Sequence, residues 1–160
     1  MINREIGIMI RCQHPTIIQF KGFSIKDFHD DKNVTIFMDH ATKGSLASFL
    51  QKVKNGLLEE IYDNTNRQIL LIGIARGMMY LHQHQIIHRD LKTDNILLDD
   101  NLYPLITDFG LSKFYGLGLS MSQSQQCGTL IYMAPEIMEG FQYNGKVDVY
   151  SFGILMYEIV

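Results

Sequence analysis

A short polar segment ahead of an apolar run has side chains that could handle a proton, a phosphate and a metal ion. His88, Arg89, Asp90, Lys92 and Asn95 fall within one stretch, and Ile-Leu-Leu follows at once. A carboxylate can accept a proton, a lysine can neutralise a phosphate, and an amide oxygen can bind a hard cation. A solvated surface turn does not need this mixture, so the segment is the candidate functional site.

A second carboxylate, Asp108, stands in the string Asp-Phe-Gly after a predicted hairpin. The apolar runs at 96–98 and 105–107 are typical of two short strands around a turn. Such a hairpin would hold Asn95 and Asp108 on facing sides of one cleft, and Gly110 would let the backbone turn behind the carboxylate. Asn95 and Asp108 offer oxygen atoms, which are the ligands that Mg²⁺ prefers.

Hydrophobic periodicity supplies the elements that must position these side chains. The helix predicted at 66–84 is apolar nearly all round, which indicates burial in the middle of its domain. The Gly-, Ser- and Gln-rich segment from Leu111 to Gln126 is expected to be mobile. The remaining predictions are helices over 2–12, 45–55 and 147–160 and strands over 17–24, 34–38, 96–98 and 105–107.

Composition limits the classes of protein that fit. The chain has 160 residues, of which 46% are hydrophobic and 19% charged, so it is globular and long enough for one domain. A net charge of −3 gives no reason to expect a nucleic acid as partner. Two distant cysteines do not suggest a disulfide framework. With no signal peptide and no apolar stretch long enough for a membrane segment, we expect a cytoplasmic location.

Three strings now stand in order along the chain, namely HRDLKTDN at 88–95, DFG at 108–110 and APE at 134–136. Four fixed letters of the first string occur by chance on the order of once in 10⁵ start positions. H-R-D-x-x-x-x-N, D-F-G and A-P-E together form the protein kinase signature. The whole chain therefore resembles a eukaryotic protein kinase domain.

The resemblance implies an α+β, two-lobed kinase fold that is incomplete. The small lobe would be reduced to helix C and two strands, with residues 1–41 as its remnant and the hinge. Residues 42–160 would form the first part of the large lobe, ending at its central helix. Met9, Phe20, His88 and Phe109 match the apolar column that joins the lobes in this family, and Asp148 matches the anchor at its foot.

The same resemblance assigns the reaction and its catalytic residues. Asp90 would accept the proton of the substrate hydroxyl, Lys92 would reach the transferring phosphate, and Asn95 and Asp108 would hold Mg²⁺. ATP and Mg²⁺ are thus the expected cofactors, and a protein is the expected substrate. For ATP binding, the resemblance implies Glu5 as the helix C glutamate and Met38 as the gatekeeper. It implies Asp39 and Ala41 as hinge residues and Leu97 as the residue under adenine.

Residue types near the site favour a serine/threonine kinase. Lys92 in HRDLKTDN is the serine/threonine pattern, and Thr129 fits because its hydroxyl can bond to the catalytic aspartate and lysine. The strings LITDFGLSK, GTLIYMAPE and DVYSFGILMYEI resemble the tyrosine-kinase-like group. The predicted function is transfer of the ATP γ-phosphate to protein hydroxyls.

Regulation is predicted between Asp108 and Glu136. Arg89 can pair bidentately with a phosphate. The candidate regulatory residues that would carry or surround that phosphate are Ser120, Ser122, Ser124 and Thr129, of which Thr129 is disfavoured as a modified residue because its hydroxyl is needed near Asp90.

The sequence departs from the family pattern at both ends. No Gly-rich loop and no V-A-I-K string precede Glu5, and nothing follows the helix at 147–160. One interpretation is a fragment of an active kinase, with residues 1–160 inactive by themselves. The alternative is a non-catalytic kinase-like binding module or an inactive remnant. A metal site built from His82, His84 and His88 is disfavoured, since His88 already belongs to the kinase motif.

Overall fold

The computed structural model describes residues 2–29, 31–57, 62–114 and 128–160, which form an α+β arrangement of helices around three small antiparallel sheets. The helices are α1 (Ile2–Arg11), α2 (Leu46–Lys54), α3 (Asn64–Gln83), α4 (Pro135–Met138) and α5 (Lys146–Ile159). The strands are β1 (Phe20–Ser24), β2 (Thr35–Met38), β3 (Gly44–Ser45), β4 (Ile86–Ile87), β5 (Ile96–Leu98), β6 (Pro104–Ile106) and β7 (Lys113–Phe114).

Helix α3 begins two residues earlier than its apolar pattern predicted. Asp63 caps it, accepting hydrogen bonds from the Thr65 and Asn66 backbone N–H groups, and the Asn66 side chain accepts from the Asp63 N–H. This reciprocal capping satisfies donors that have no partner inside the helix. The polar residues ahead of the apolar stretch therefore belong to the helix.

One face of α3 packs so closely on β6 that only glycine fits. A Cβ on Gly73 would lie 2.5 Å from Pro104 Cγ, and one on Gly77 would lie 2.6 Å from Ile106 Cδ1. The opposite face is open, with Ile72 53% exposed. The prediction that this helix is buried nearly all round is therefore wrong for the described structure, because the other elements cover only one side of it.

The sheets join the N-terminal third of the chain to the candidate site. β1 and β2 form an antiparallel hairpin, and β3, β5 and β6 form a three-stranded sheet in the order β3-β5-β6. Ile18 N–H donates to Ile106 O at 2.9 Å, and Ile106 N–H donates to Thr16 O at 2.9 Å. The loop after α1 is thus tied to the strand that precedes Asp108.

A single buried cluster includes most of the column that the family pattern predicted. Met9 and Phe109 are buried in it, and Phe20 packs against it. The rings of His88 and Phe109 have centroids 5.4 Å apart. This cluster is the larger of two buried hydrophobic clusters among the described residues.

The segment after Asp108 begins with ordered backbone. Lys113 and Phe114 pair with Ile87 and Ile86 as β7 and β4. The expectation of mobility from Leu111 onward is therefore wrong for residues 113–114, because their backbone pairs with β4. Residues 115–127, which include Ser120, Ser122 and Ser124, lie outside the described residues. Within the described ranges, no helix has the length and apolar character that crossing a membrane requires.

Candidate functional site

The loop that carries Asp90 is held from below by one buried carboxylate. Asp148, near the start of α5, accepts hydrogen bonds from the backbone N–H of His88 at 2.9 Å and of Arg89 at 2.8 Å. Its Oδ2 also accepts from His82 Nε2 at 2.9 Å. Arg89 adopts a positive φ of 69°, a costly conformation for a residue with a side chain. Asp148 therefore holds a strained turn that directs Asp90 toward the cleft.

Asp90 accepts hydrogen bonds on both carboxylate oxygens. Oδ2 accepts from Asn95 Nδ2 at 3.0 Å and lies 3.0 Å from the Lys92 ammonium. Oδ1 accepts from the Thr129 backbone N–H at 3.0 Å and from its hydroxyl at 3.2 Å. Asp90 is 8% exposed, so these donors replace most of the water around it.

These partners keep Asp90 ionised. Burial by itself would raise the pKa of Asp90, but the hydrogen bond and positive charge of Lys92, together with hydrogen bonds from Asn95 and Thr129, hold the pKa below its ordinary value. The carboxylate is therefore charged at neutral pH, as an acceptor of a hydroxyl proton must be.

Lys92 bridges the two sides of the site. Its ammonium donates to Thr129 Oγ1 at 2.8 Å while it pairs with Asp90. A hydroxyl placed between Asp90 and Lys92 can thus donate to one and accept from the other. Thr129 shows that the spacing accommodates an alcohol oxygen, which is the chemical group of a serine or threonine substrate.

Asn95 and Asp108 have the donor atoms that a magnesium ion takes. Both Asn95 hydrogen bonds to Asp90 use the amide nitrogen, to O at 2.8 Å and Oδ2 at 3.0 Å, so the amide oxygen is the atom Asn95 can offer a cation. The Thr107 N–H donates to Asn95 O at 3.0 Å, which places Asp108 beside Asn95. Asp108 is exposed, with a positive φ of 63°. The two residues fit oxygen-preferring Mg²⁺.

Glu5 lies on the same side of the site as Asp108. A Cβ on Gly110 would lie 3.2 Å from Asp108 Oδ1 and 3.9 Å from Glu5 Oε2, so the two carboxylates face one point. Burial raises the pKa of Glu5, and the negative charge of Asp108 raises it further. A cation at this point would relieve the repulsion between them.

The residues predicted to surround adenine fall along the connection from β2 to β3. Met38 is 43% exposed at the end of β2, and Asp39 follows it with its N–H donating to Gln19 O at 3.0 Å. Ala41 O accepts from Gly44 N–H at 3.3 Å, in the turn that enters β3. Leu97 pairs with Ser45 across β3 and β5. The connection and Leu97 are therefore joined by one small sheet.

Arg89 has different partners from those expected of a phosphate receptor. Its Nε donates to Leu111 O at 2.6 Å, and its Nη2 donates to the same oxygen. Its Nη1 donates to the Tyr143 hydroxyl at 3.0 Å. The guanidinium is thus buried against the chain that follows Asp108, and a phosphate would have to share or displace these contacts.

A second hydrogen-bonded junction, absent from the sequence-based predictions, lies beside the site. Thr93 Oγ1 donates to Glu158 Oε2 at 2.9 Å, and the Tyr132 hydroxyl donates to the same oxygen at 2.6 Å. Burial raises the pKa of Tyr132, and its hydrogen bond to Glu158 raises it further. No local pattern signals this junction, because its three residues are far apart along the chain.

The three histidines considered as a metal site point to separate partners. His82 bonds to Asp148, as above, and His84 Nδ1 donates to Tyr80 O at 2.8 Å. His88 Nε2 donates to Thr107 O at 3.0 Å. Each ring therefore has a structural role in joining neighbouring segments.

Comparison with known proteins agrees with this geometry. The model of the protein kinase domain family matches residues 1–160. A probable serine/threonine-protein kinase of Dictyostelium discoideum is 38% identical over 160 residues, covering 99% of this chain and 15% of that protein. Cysteine-rich receptor-like protein kinase 10 of Arabidopsis thaliana is 38% identical over 163 residues, covering 99% and 23%.

Aurora kinase A-B of Xenopus laevis is 34% identical over 159 residues, covering 99% of this chain and 36% of its own length. The chain therefore spans between 15% and 36% of the length of these three relatives. The strings HRDLKTDN and DFG lie together at Asp90 and Asn95, and the family match extends over every residue. On both grounds, the chain belongs to the protein kinase domain family.

Proposed function

We propose that this chain provides the catalytic residues of a serine/threonine protein kinase, which transfers the γ-phosphate of ATP to hydroxyl groups of a protein substrate. The observation that carries the proposal is the arrangement of Asp90, Lys92 and Thr129. A charged carboxylate and an ammonium lie on either side of an alcohol oxygen, 3.2 Å and 2.8 Å from it.

The residues act mainly by position and charge. Asp90 would accept the hydrogen bond of the substrate hydroxyl, orient its oxygen toward the phosphate and take its proton as the new bond forms. Lys92 would hold the negative oxygens of the group in transfer. Mg²⁺, when bound through Asn95 and Asp108, supplies positive charge that offsets the charge of the phosphates.

Nucleotide binding is proposed for the residues around the β2–β3 connection. Asp39 and Ala41 would offer main-chain groups to adenine, Met38 would border the pocket, and Leu97 would pack beneath the ring. Glu5 would face the phosphate side, near Asp108. We propose that residues 1–41 belong to the small lobe and hinge and residues 42–160 to the large lobe, and that the reaction takes place in the cytoplasm.

Substitution of Asp90 by asparagine in the full-length protein tests the proposal. Asp90→Asn keeps size and polarity but removes basicity, so kcat should fall by about 10²–10⁴-fold with KM for ATP nearly unchanged. Asp94→Asn is the control, because Asp94 is an exposed carboxylate in the same turn. Equal kcat in wild type and Asp90→Asn would refute the assignment. A folded wild type without transfer activity would favour a non-catalytic kinase-like module.

We further propose that phosphorylation between Asp108 and Glu136 activates the enzyme through Arg89. Ser120, Ser122 and Ser124 are the proposed sites, and their triple substitution by alanine should remove the response to phosphatase treatment. In wild type, the same treatment should lower kcat by about tenfold or more, since a bidentate phosphate–arginine contact orders the segment. An active protein whose segment is unmodified by mass spectrometry would argue against this proposal.

A further inference from the structure

The backbone amide of Thr129 is one of the donors that hold the carboxylate of Asp90. Its N–H donates to Asp90 Oδ1 at 3.0 Å, across a gap of 39 residues in sequence. The hydroxyl of the same residue also reaches Oδ1, at 3.2 Å, and accepts from Lys92 at 2.8 Å. Thr129 therefore contributes a main-chain donor and a side-chain donor to one oxygen.

At Gly128, the backbone comes so close to the loop of Asp90 that only glycine fits, and this close approach brings the Thr129 amide to the carboxylate. Its φ is +113°, a region that residues with a side chain rarely adopt. A Cβ added to it would lie 2.7 Å from Arg89 O, a main-chain atom, and 3.7 Å from Asp90 Oδ1. Because backbone cannot rotate away as a side chain can, a methyl group here must move the segment itself.

The donors around Asp90 differ in how firmly they are held. A carboxylate has about four lone-pair positions, and the described residues fill them with Lys92, Asn95 and the two groups of Thr129. The hydroxyl bond is the longest of these contacts and can break by rotation about one torsion. The amide bond, by contrast, stays in place as part of the main chain.

We propose that Gly128 is a positioning residue for the catalytic carboxylate, because glycine alone allows the Thr129 amide to approach and hold Asp90 Oδ1. This inference rests on the proposed function of Asp90. Gly128 acts through the main chain and contacts neither substrate nor nucleotide in this role.

The test compares Gly128→Ala with Gly140→Ala in the full-length kinase. Gly140 also has a positive φ, +73°, but nothing lies within 4 Å of its added Cβ, so it controls for backbone strain alone. In Gly128→Ala, kcat should fall by about 10–100-fold with KM for ATP unchanged, since Asp90 is misplaced but the nucleotide site is intact. Gly140→Ala should retain wild-type kcat.

The division of the effect between kcat and KM separates positioning from general damage to the fold. Misplacement of Asp90 lowers kcat and leaves KM for ATP unchanged, whereas a damaged fold raises KM for ATP or lowers the amount of folded protein. Equal losses of kcat in the two alanine variants, or a loss confined to KM for ATP, would overturn the inference.

Amide hydrogen exchange provides a measurement that needs neither activity nor a folded Gly128 variant. If Asp90 holds the Thr129 amide, Asp90→Ala should speed exchange of that amide by about tenfold or more relative to wild type. Unchanged exchange would overturn the inference even if the wild-type enzyme is active. Faster exchange in Asp90→Ala, found together with a folded wild type that lacks transfer activity, would keep the inferred contact and reject the proposed function.

Discussion

At the scale of the residue, Asp90 is a weaker base than a free carboxylate. The pKa of an efficient general base lies near the working pH, whereas the donors around Asp90 lower its pKa. Phosphoryl transfer proceeds through a loose transition state in which the hydroxyl keeps its proton until late. The role proposed for Asp90 is therefore mainly to orient the hydroxyl, and its charge must persist for that role.

The lowered pKa of Asp90 also predicts how stability depends on pH. A carboxyl whose folded pKa lies below its unfolded value of 3.8 stabilises the fold above that value, and this contribution disappears as pH falls through the folded pKa. Urea unfolding of wild type should thus lose more stability between pH 5 and pH 3 than unfolding of Asp90→Asn. Parallel curves for the two proteins would contradict the pKa shift.

At the scale of the element, α3 packs against strand β6 and, through His82 and Asp148, is linked to the loop that contains Asp90. Gly77 lets the helix approach so closely that an added Cβ would meet Ile106 Cδ1 at 2.6 Å and Thr16 Oγ1 at 2.7 Å. Thr16 and Ile106 also form the main-chain pairing that fixes the strand before Asp108. The close packing at Gly77 therefore helps to set the position of Asp108, a predicted metal ligand.

Two glycine-to-alanine substitutions in helices should change stability in opposite directions. Gly77→Ala should destabilise by about 1–3 kcal/mol, because the methyl group overpacks the contact with β6. Gly153→Ala in α5 should stabilise by about 0.5–1 kcal/mol, since nothing lies within 4 Å of its added Cβ and alanine is the better helix former. Urea denaturation of both variants measures the difference, and equal signs would contradict this packing.

At the scale of the whole molecule, residues 1–160 leave large apolar side chains in contact with water. On α5, Val149 is 60% exposed and Tyr157 is 87% exposed, while on the N-terminal hairpin region Phe28 is 85% exposed. Exposed apolar surface promotes association. Burial of one large apolar side chain contributes about 1.5–3 kcal/mol, and the free energy of unfolding of a domain is only about 5–15 kcal/mol. Leaving several such side chains exposed therefore removes a large part of that free energy.

Residues 1–160 expressed by themselves should therefore be poorly soluble and bind hydrophobic dyes. Val149→Lys together with Tyr157→Lys should raise the soluble yield and reduce dye binding, because both changes replace exposed apolar surface on α5. Light scattering and dye fluorescence measure these effects. A soluble wild-type monomer with a cooperative thermal transition and no dye binding would contradict the expectation.

The sequence by itself determined the family, the α+β class and most helices and strands. It also predicted the part of the candidate site whose residues are close together along the chain. Asp90, Lys92 and Asn95 were identifiable because they lie in one short string, and short-range spacing needs no knowledge of packing. The ends of α3 were less certain, since its cap depends on the polar residues Asp63 and Asn66, which stand outside the apolar pattern.

The family resemblance already pointed to Thr129 and Asp148, but only the tertiary structure decided which of their atoms bond to the loop of Asp90 and at what distance. The Thr129 amide bonds to Asp90, Gly128 leaves no room for a Cβ beside Arg89 O, and Asp148 bonds to His88. The residues of these pairs lie 39 to 60 positions apart. Such contacts depend on how the elements pack, and no local propensity encodes their distances. The same physical reason separates the partners of Arg89 from the phosphate expected for it, because the position of Leu111 O follows from the pairing of β4 and β7.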